Sequence, residues 1–278
     1  MRAKQSNGGS AFLRRVVRAG WLVTAMSSAT WAYAESDSEL AQELTNPVAD
    51  LVSFPIQMNF DDDLGPGDRG SKLTTNVQPV IPFSVNADWN LISRTIMPVI
   101  YQDDVIPGTG SQFGLGDVNL SLFFSPKRPS SSGLVWGAGP VFLLPTATSS
   151  KLGSEKWGAG PAAVLISMRG PWTMGALANH VWSFAGDSDR SDINSSFLQP
   201  FVSYTWPSAW TFSVTSESAY NWKSEKWSVP VNVTVSRLVR FGRLPVSIQA
   251  GTGYWLESPA GGPEGFRFRL AATLILPR

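Results

Sequence analysis

Cysteine is absent from this 278-residue sequence, histidine occurs once, and no run of 18 apolar residues occurs beyond residue 34. Without cysteine there is no disulfide, no thiol nucleophile and no cysteine metal site. A single histidine, His180, leaves zinc sites and most triad chemistry without enough ligands or bases. The missing apolar run excludes a helix that crosses a bilayer, which needs about 20 such residues. Net charge is +1 with no basic stripe, so a nucleic-acid partner has no electrostatic footing. Neither "LPTATSSKLGSEK" nor the doubled "WGAGP" carries the glycine-lysine spacing of a phosphate loop or a GxGxxG turn. The reading is therefore of a non-enzyme with no cofactor and no metal.

The first 34 residues have a basic start (Arg2, Lys4, Arg14, Arg15, Arg18), the short apolar run "AGWLVTAMSSATW" and "AYA" before Glu35. That is the layout of an export signal cleaved after Ala34. Residues 35–50, with "SELAQELTNPVADL", are the one helical stretch expected, a periplasmic or plug segment. Residues 51–278 are read as one barrel-sized domain.

That domain is rich in Trp, Phe, Val, Ser and Thr, punctuated by Gly, Pro and Asp. Twelve segments alternate apolar with polar or small side chains, near 52–60, 73–83, 89–101, 115–124, 134–145, 157–166, 172–184, 197–206, 210–222, 227–239, 244–256 and 266–276. In "WTFSVTSESAYNW" one face is Trp210, Phe212, Val214, Tyr220 and Trp222, the other Thr211, Ser213, Thr215 and Glu217. A soluble sandwich also alternates, but it would hold its aromatics in mid-strand. Here they stand at strand ends: Trp210 and Trp222, Trp172 and Trp182, Trp89 and Tyr101. At a tilt near 45° these separations span roughly 23 to 28 Å, the height of an outer-membrane apolar band between its aromatic girdles. Long and short connections alternate as well, and both termini fall on the short-turn side. The expected fold is an all-β, transmembrane, antiparallel up-and-down barrel of about 12 strands. Eight prolines, Pro79, Pro82, Pro98, Pro140, Pro161, Pro200, Pro230 and Pro245, run against it, since each removes a ladder hydrogen bond.

The segments "NPVADLVSFPIQMNF", "GLGDVNLSLFFSP", "GPVFLLPTAT", "LGSEKWGAGPAAVL" and "NHVWSFAGDSDRSDIN" resemble the bacterial family filed under the MetA pathway of phenol degradation, also labelled "transporter" or "neuromedin U". The resemblance covers nearly all of the chain beyond the signal. It implies an outer-membrane barrel that acts as a channel for small organic or aromatic compounds. One departure from barrels in general is the ending Pro277-Arg278, where an aromatic residue commonly serves as the assembly signal.

Charges facing lipid near mid-membrane cost about 2–4 kcal/mol, so those in the strands should face the lumen. The solute-binding candidates are accordingly Arg94, Asp117, Asn119, Glu217, Arg267 and Arg269, with Phe197 and Phe201 among them and Trp255 nearby. A narrow channel passing solutes by diffusion and a salt-bridged, non-conducting barrel for structure or adhesion both fit such a lumen. The segment from Glu39 to Leu51 could occlude it. A lipid hydrolase is the third reading. It rests on His180, but Ser183 lies three residues away and so on the opposite face, so a serine would have to come from another strand. Asp61, Asp62, Asp63, Asp103, Asp104, Asp187, Asp189 and Asp192 are read as solvated loop charges before calcium ligands. Expected partners are outer-membrane lipids and lipopolysaccharide, small organic solutes and the barrel-assembly machinery. Oligomeric state is left open.

The doubled WGAGP is read as one strand opening used twice. Trp136, Ala138, Pro140 and Trp157, Ala159, Pro161 face lipid, while Gly137, Gly139, Gly158 and Gly160 leave the inner wall bare for a plug or solute.

Overall fold

A computed structural model describes residues 36–276. The export signal, its cleavage point and the terminal Pro277-Arg278 lie outside the described residues. The described residues open with a helix, α1 (Asp37–Glu43), and continue as β1 (Val52–Leu64), β2 (Gly70–Val77), β3 (Val80–Ser84), β4 (Trp89–Asp103), β5 (Gln112–Leu115) and β6 (Val118–Pro126). It goes on through β7 (Leu134–Leu144), β8 (Lys156–Arg169), β9 (Trp172–Gly186), β10 (Asn194–Thr205), β11 (Trp210–Ser216) and β12 (Ser218–Asn221). The last three are β13 (Lys226–Phe241), β14 (Leu244–Glu257) and β15 (Phe266–Leu276).

Three pairs, β2 with β3, β5 with β6 and β11 with β12, are single staves broken for a residue or two. The result is a closed antiparallel barrel of twelve staves. Closure comes from β1 on β15, in register from Val52↔Leu276 to Asp61↔Arg267. All twelve segments expected from the sequence are staves of this wall.

The outer face is what the alternation demands. Ile56, Met58, Phe60, Leu165, Met174, Val233, Val235, Ile248, Phe268 and Leu270 are all exposed there. In water such a surface would be an aggregation site; in hydrocarbon it needs no cover. Aromatic pairs mark its two rims. At the short-turn end Trp89 meets Trp136 edge-on at 5.8 Å, and Tyr204 lies 4.9 Å from both Trp172 and Trp206. At the long-loop end Tyr220 lies 4.9 Å from Trp222 and from Trp227. Each pair contributes about 0.5–1.5 kcal/mol beyond its area.

Four of the eight prolines are accommodated in three ways. Pro79 falls in the break between β2 and β3, so the predicted segment 73–83 is two pieces. Pro230 sits at a register shift between β13 and β14. Pro140 and Pro161 stand opposite one another between β7 and β8, so their missing N–H groups point away from each other. Pro140 starves the Leu122 carbonyl on β6, and Pro161 that of His180 on β9. Those carbonyl oxygens lean onto the preceding glycines instead: a Cβ on Gly139 would fall on the Leu122 oxygen, and one on Gly160 on the His180 oxygen.

Candidate functional site: the barrel interior and its charged belt

The helical expectation for residues 38–51 holds for only half of that stretch. Helix α1 is seven residues, too short to persist alone. Asp37 and Glu39 suit its positive end, and tertiary contacts hold it at the short-turn end of the barrel. Leu40 and Ala41 are buried with Ala209, Leu238 and Ile275. Arg240 Nε meets Asp37 Oδ1 at 2.6 Å, and Gln42 Nε2 donates to the Gly170 carbonyl at 2.8 Å. After α1 the Asn46 side chain accepts the Val48 N–H at 3.0 Å. This turn aims Val48 into the lumen.

Val48 enters an apolar cluster made of inward-facing Val80, Ile92, Phe123, Val141, Ala162, Val164, Ile166, Leu177 and Val181. Half of the interior is thus filled like a soluble core. The glycines of the doubled motif serve this packing. Along β7 and β8 four successive inward pairs match a glycine with a larger residue: Gly137↔Val164, Gly139↔Ala162, Val141↔Gly160, Leu143↔Gly158. A Cβ on Gly137 would come within 3.3 Å of Val48 Cγ1, and one on Gly158 within 2.6 Å of Val181 Cγ1. The wall at Gly137 therefore receives the N-terminal segment, whereas at Gly158 neighbouring wall side chains fill the space and no bare patch remains.

The opposite half is polar. Arg269 on β15 donates through Nη2 to Glu217 Oε2 at 2.7 Å and through Nε to Asn59 Oδ1 at 2.7 Å. Arg267, two residues earlier on the same face, reaches Asp61 Oδ2 at 3.0 Å and lies 3.9 Å from Glu217 Oε2. Trp255 Nε1 donates to Asp61 Oδ1 at 2.8 Å, and its ring lies 4.9 Å beneath the Arg267 guanidinium. Lys72 stands opposite Asp61 in register, and Arg94 Nη2 donates to Gln78 Oε1 at 3.1 Å. These groups form a belt across mid-lumen. Asp61 was expected in a loop; β1 runs on to Leu64 and carries it inside the barrel instead.

Glu217 sits where prolines interrupt the ladder. It lies between β11 and β12, where Pro230 flanks it on β13 and Pro200 flanks Ser216 on β10, and neither proline can donate to the ladder. Hydroxyls meet the proline carbonyls here: Thr215 Oγ1 donates to that of Pro200 at 3.2 Å, and Ser216 Oγ to that of Pro230 at 2.8 Å. The register with β13 runs on through the break, so alternation keeps the Glu217 side chain on the inner face with Thr215, where it reaches the arginines.

Between this belt and residues 41–51 lies a cavity of about 240 Å³. Arg94, Glu217, Arg269 and Phe201 of the expected residues line it, together with Gln57, Gln78, Gln199 and Gln249. Arg267 belongs to the belt. Phe197 packs on the apolar cluster, and Asn119 is half-buried in β6, level with Ile96 and Leu143. Asp117 is engaged elsewhere: its carboxylate accepts the Ser154 N–H and hydroxyl, each at 2.6 Å, and the Ala147 N–H at 3.2 Å. It staples the 145–155 loop rather than facing the belt. Arg190 fastens the same loop by donating to the carbonyls of Ser150, at 3.0 Å, and Gly153.

His180 faces outward at the long-loop rim. Its Nδ1 lies 2.8 Å from Ser196 Oγ, supplied by the adjacent strand β10. Trp222 Nε1 donates to the same oxygen at 2.9 Å, and the Trp182 ring covers the imidazole at 4.0 Å. Among the described residues its Nε2 atom is buried without a hydrogen-bond partner, so none of their carboxylates orients this ring.

No family model matches this chain, and no curated protein matches it. Among solved structures it is similar to an outer membrane channel from Pseudomonas putida F1, with 14% identity over 81% of this chain and 96% of that one and a TM-score of 0.63. It is also similar to the NanC porin, with 12% identity over 81% and 100% and a TM-score of 0.48. A third is outer membrane phospholipase A of Escherichia coli, with 12% identity over 87% and 97% and a TM-score of 0.47. The first of these likenesses shows a shared barrel fold.

Proposed function

We propose that this chain is an outer-membrane channel through which small organic solutes, aromatic ones included, diffuse passively. The supporting observation is the divided lumen: one side is packed solid, and the other keeps a polar cavity bounded by a charged belt. A barrel built only as a structural or adhesive wall has no need of a hollow lined by Arg94, Arg269, four glutamines and several hydroxyls. The fold shared with the Pseudomonas putida channel agrees with this reading. The resemblance to the phenol-degradation family suggests the solute class. Residues 37–51 act as a plug at the periplasmic mouth, which the short turns and both chain ends mark.

The test is conductance in planar bilayers. The whole protein should give small, discrete steps, and removal of residues 37–50 should enlarge them several-fold. A barrel that never conducts, with or without that segment, refutes the channel.

The pair His180–Ser196 favours a second reading, an outer-membrane lipid hydrolase. Its serine oxygen already accepts from Trp222 and its imidazole lacks an orienting acid, so the base of a working dyad is incomplete. Ester hydrolysis abolished by Ser196→Ala would establish it, and hydrolysis absent from the unaltered protein would dismiss it.

A further inference from the structure

The belt holds more positive than negative charge, and one of its cations is left facing the cavity. Asp61 and Glu217 are both claimed: Asp61 by Arg267 at 3.0 Å, and Glu217 by Arg269 at 2.7 Å with Arg267 at 3.9 Å. Against these two carboxylates stand Lys72, Arg94, Arg267 and Arg269. Among the described residues no carboxylate lies within ion-pairing distance of Arg94: Glu217 acts on it only at longer range, and its hydrogen-bond partner is the neutral Gln78 carbonyl oxygen at 3.1 Å. A guanidinium carries five N–H donors in a flat fork that matches a carboxylate edge. Arg94 lines the hollow, and only its bond to Gln78 engages that fork among the described side chains.

The rest of the lining is just as specific. Phe201, Val80, Leu44 and Leu51 make one side apolar. Gln57, Gln199 and Thr215 supply neutral hydrogen-bonding groups in the lining. Glu43 at the end of α1 is the remaining acid of the lining besides Glu217. Such a hollow matches a solute with a ring or short alkyl body and a single carboxylate head.

We propose that the lumen carries a binding site for small organic monocarboxylates, with the carboxylate on Arg94 and the apolar body against Phe201. The site deepens the channel reading by naming the solute's charge, yet it can be read without conduction. Benzoate, benzyl alcohol and benzylammonium share one ring and differ in charge, so they serve as probes. Calorimetry on the full chain in detergent should show benzoate binding about tenfold or more tighter than benzyl alcohol, with no binding of benzylammonium. Arg94→Gln should abolish the preference for benzoate and Arg94→Lys should keep most of it, both variants retaining the heat-dependent gel shift of a folded barrel. Equal binding of benzoate and benzyl alcohol by the unaltered protein overturns the proposal, as does undiminished benzoate binding by Arg94→Gln. In a planar bilayer benzoate should also block current through the unaltered protein more strongly than through Arg94→Gln. If the barrel never conducts, the channel fails while the calorimetry still decides the site.

Discussion

The two halves of the lumen are built by the same alternation and have opposite characters. On one side Phe123, Val141, Val164, Ile166 and Leu177 interlock with Val48, and nothing polar is needed. On the other Asn59, Asp61, Asn232, Arg267 and Arg269 are buried, and most find partners across strands. The apolar half draws its cohesion from close packing, which is tolerant in detail. The polar half depends on each group finding its counterpart, since a buried charge that loses its partner is far costlier than a lost methyl.

That contrast can be tested most sharply by removing a carboxylate. Asp61→Ala should cost about 3–5 kcal/mol by stranding Arg267 and freeing Trp255, whereas Val141→Ala on the packed side should cost about 1.5 kcal/mol. Urea midpoints in detergent measure both, and comparable losses would erase the distinction drawn here. Next in size, Gly137→Leu should push Val48 from its seat at about 1–3 kcal/mol. It should also expose residues 37–50 to protease while the barrel stays intact, and a segment that remains protected would mean α1 is held by its other contacts alone. The smallest effect lies outside the membrane. Lys156 donates to Asp192 at 3.0 Å and holds that carboxyl below its ordinary range. The contact is complete above the ordinary carboxylate pKa and lost as pH falls through the lowered value. Protease nicking of residues 187–193 should therefore rise only in strong acid, and an onset at pH 6 would contradict the assignment.

The strands were legible because lipid forces a strict outer face: Trp210, Phe212 and Val214 have no alternative orientation. The polar lumen was legible for the complementary reason, and Arg94, Glu217, Arg267 and Arg269 do meet or approach one another in space. The packed half was not. In β7 and β8 alternation set the inner face, but both faces are apolar or small, so nothing told that Val141 and Val164 would close the interior by packing rather than leave it bare. Asp61 was hidden by its neighbours Asp62 and Asp63, whose run suggests a loop although the ladder continues beneath it. Ser196 could not be paired with His180 from spacing, because their contact depends on the register between β9 and β10.

The proline pair at the centre of the β7–β8 hairpin has a consequence for how the wall is tiled. Pairing Pro140 with Pro161 places the two WGAGP copies about a local two-fold axis through the sheet. Each copy then presents the same profile, a missing donor followed outward by a glycine that tolerates the orphaned carbonyl, to a different neighbour. The hairpin is thus a symmetric tile with one kind of edge. The repeat exists because both of its seams pose the same geometric problem, and a change made in either copy should be felt at only one of them.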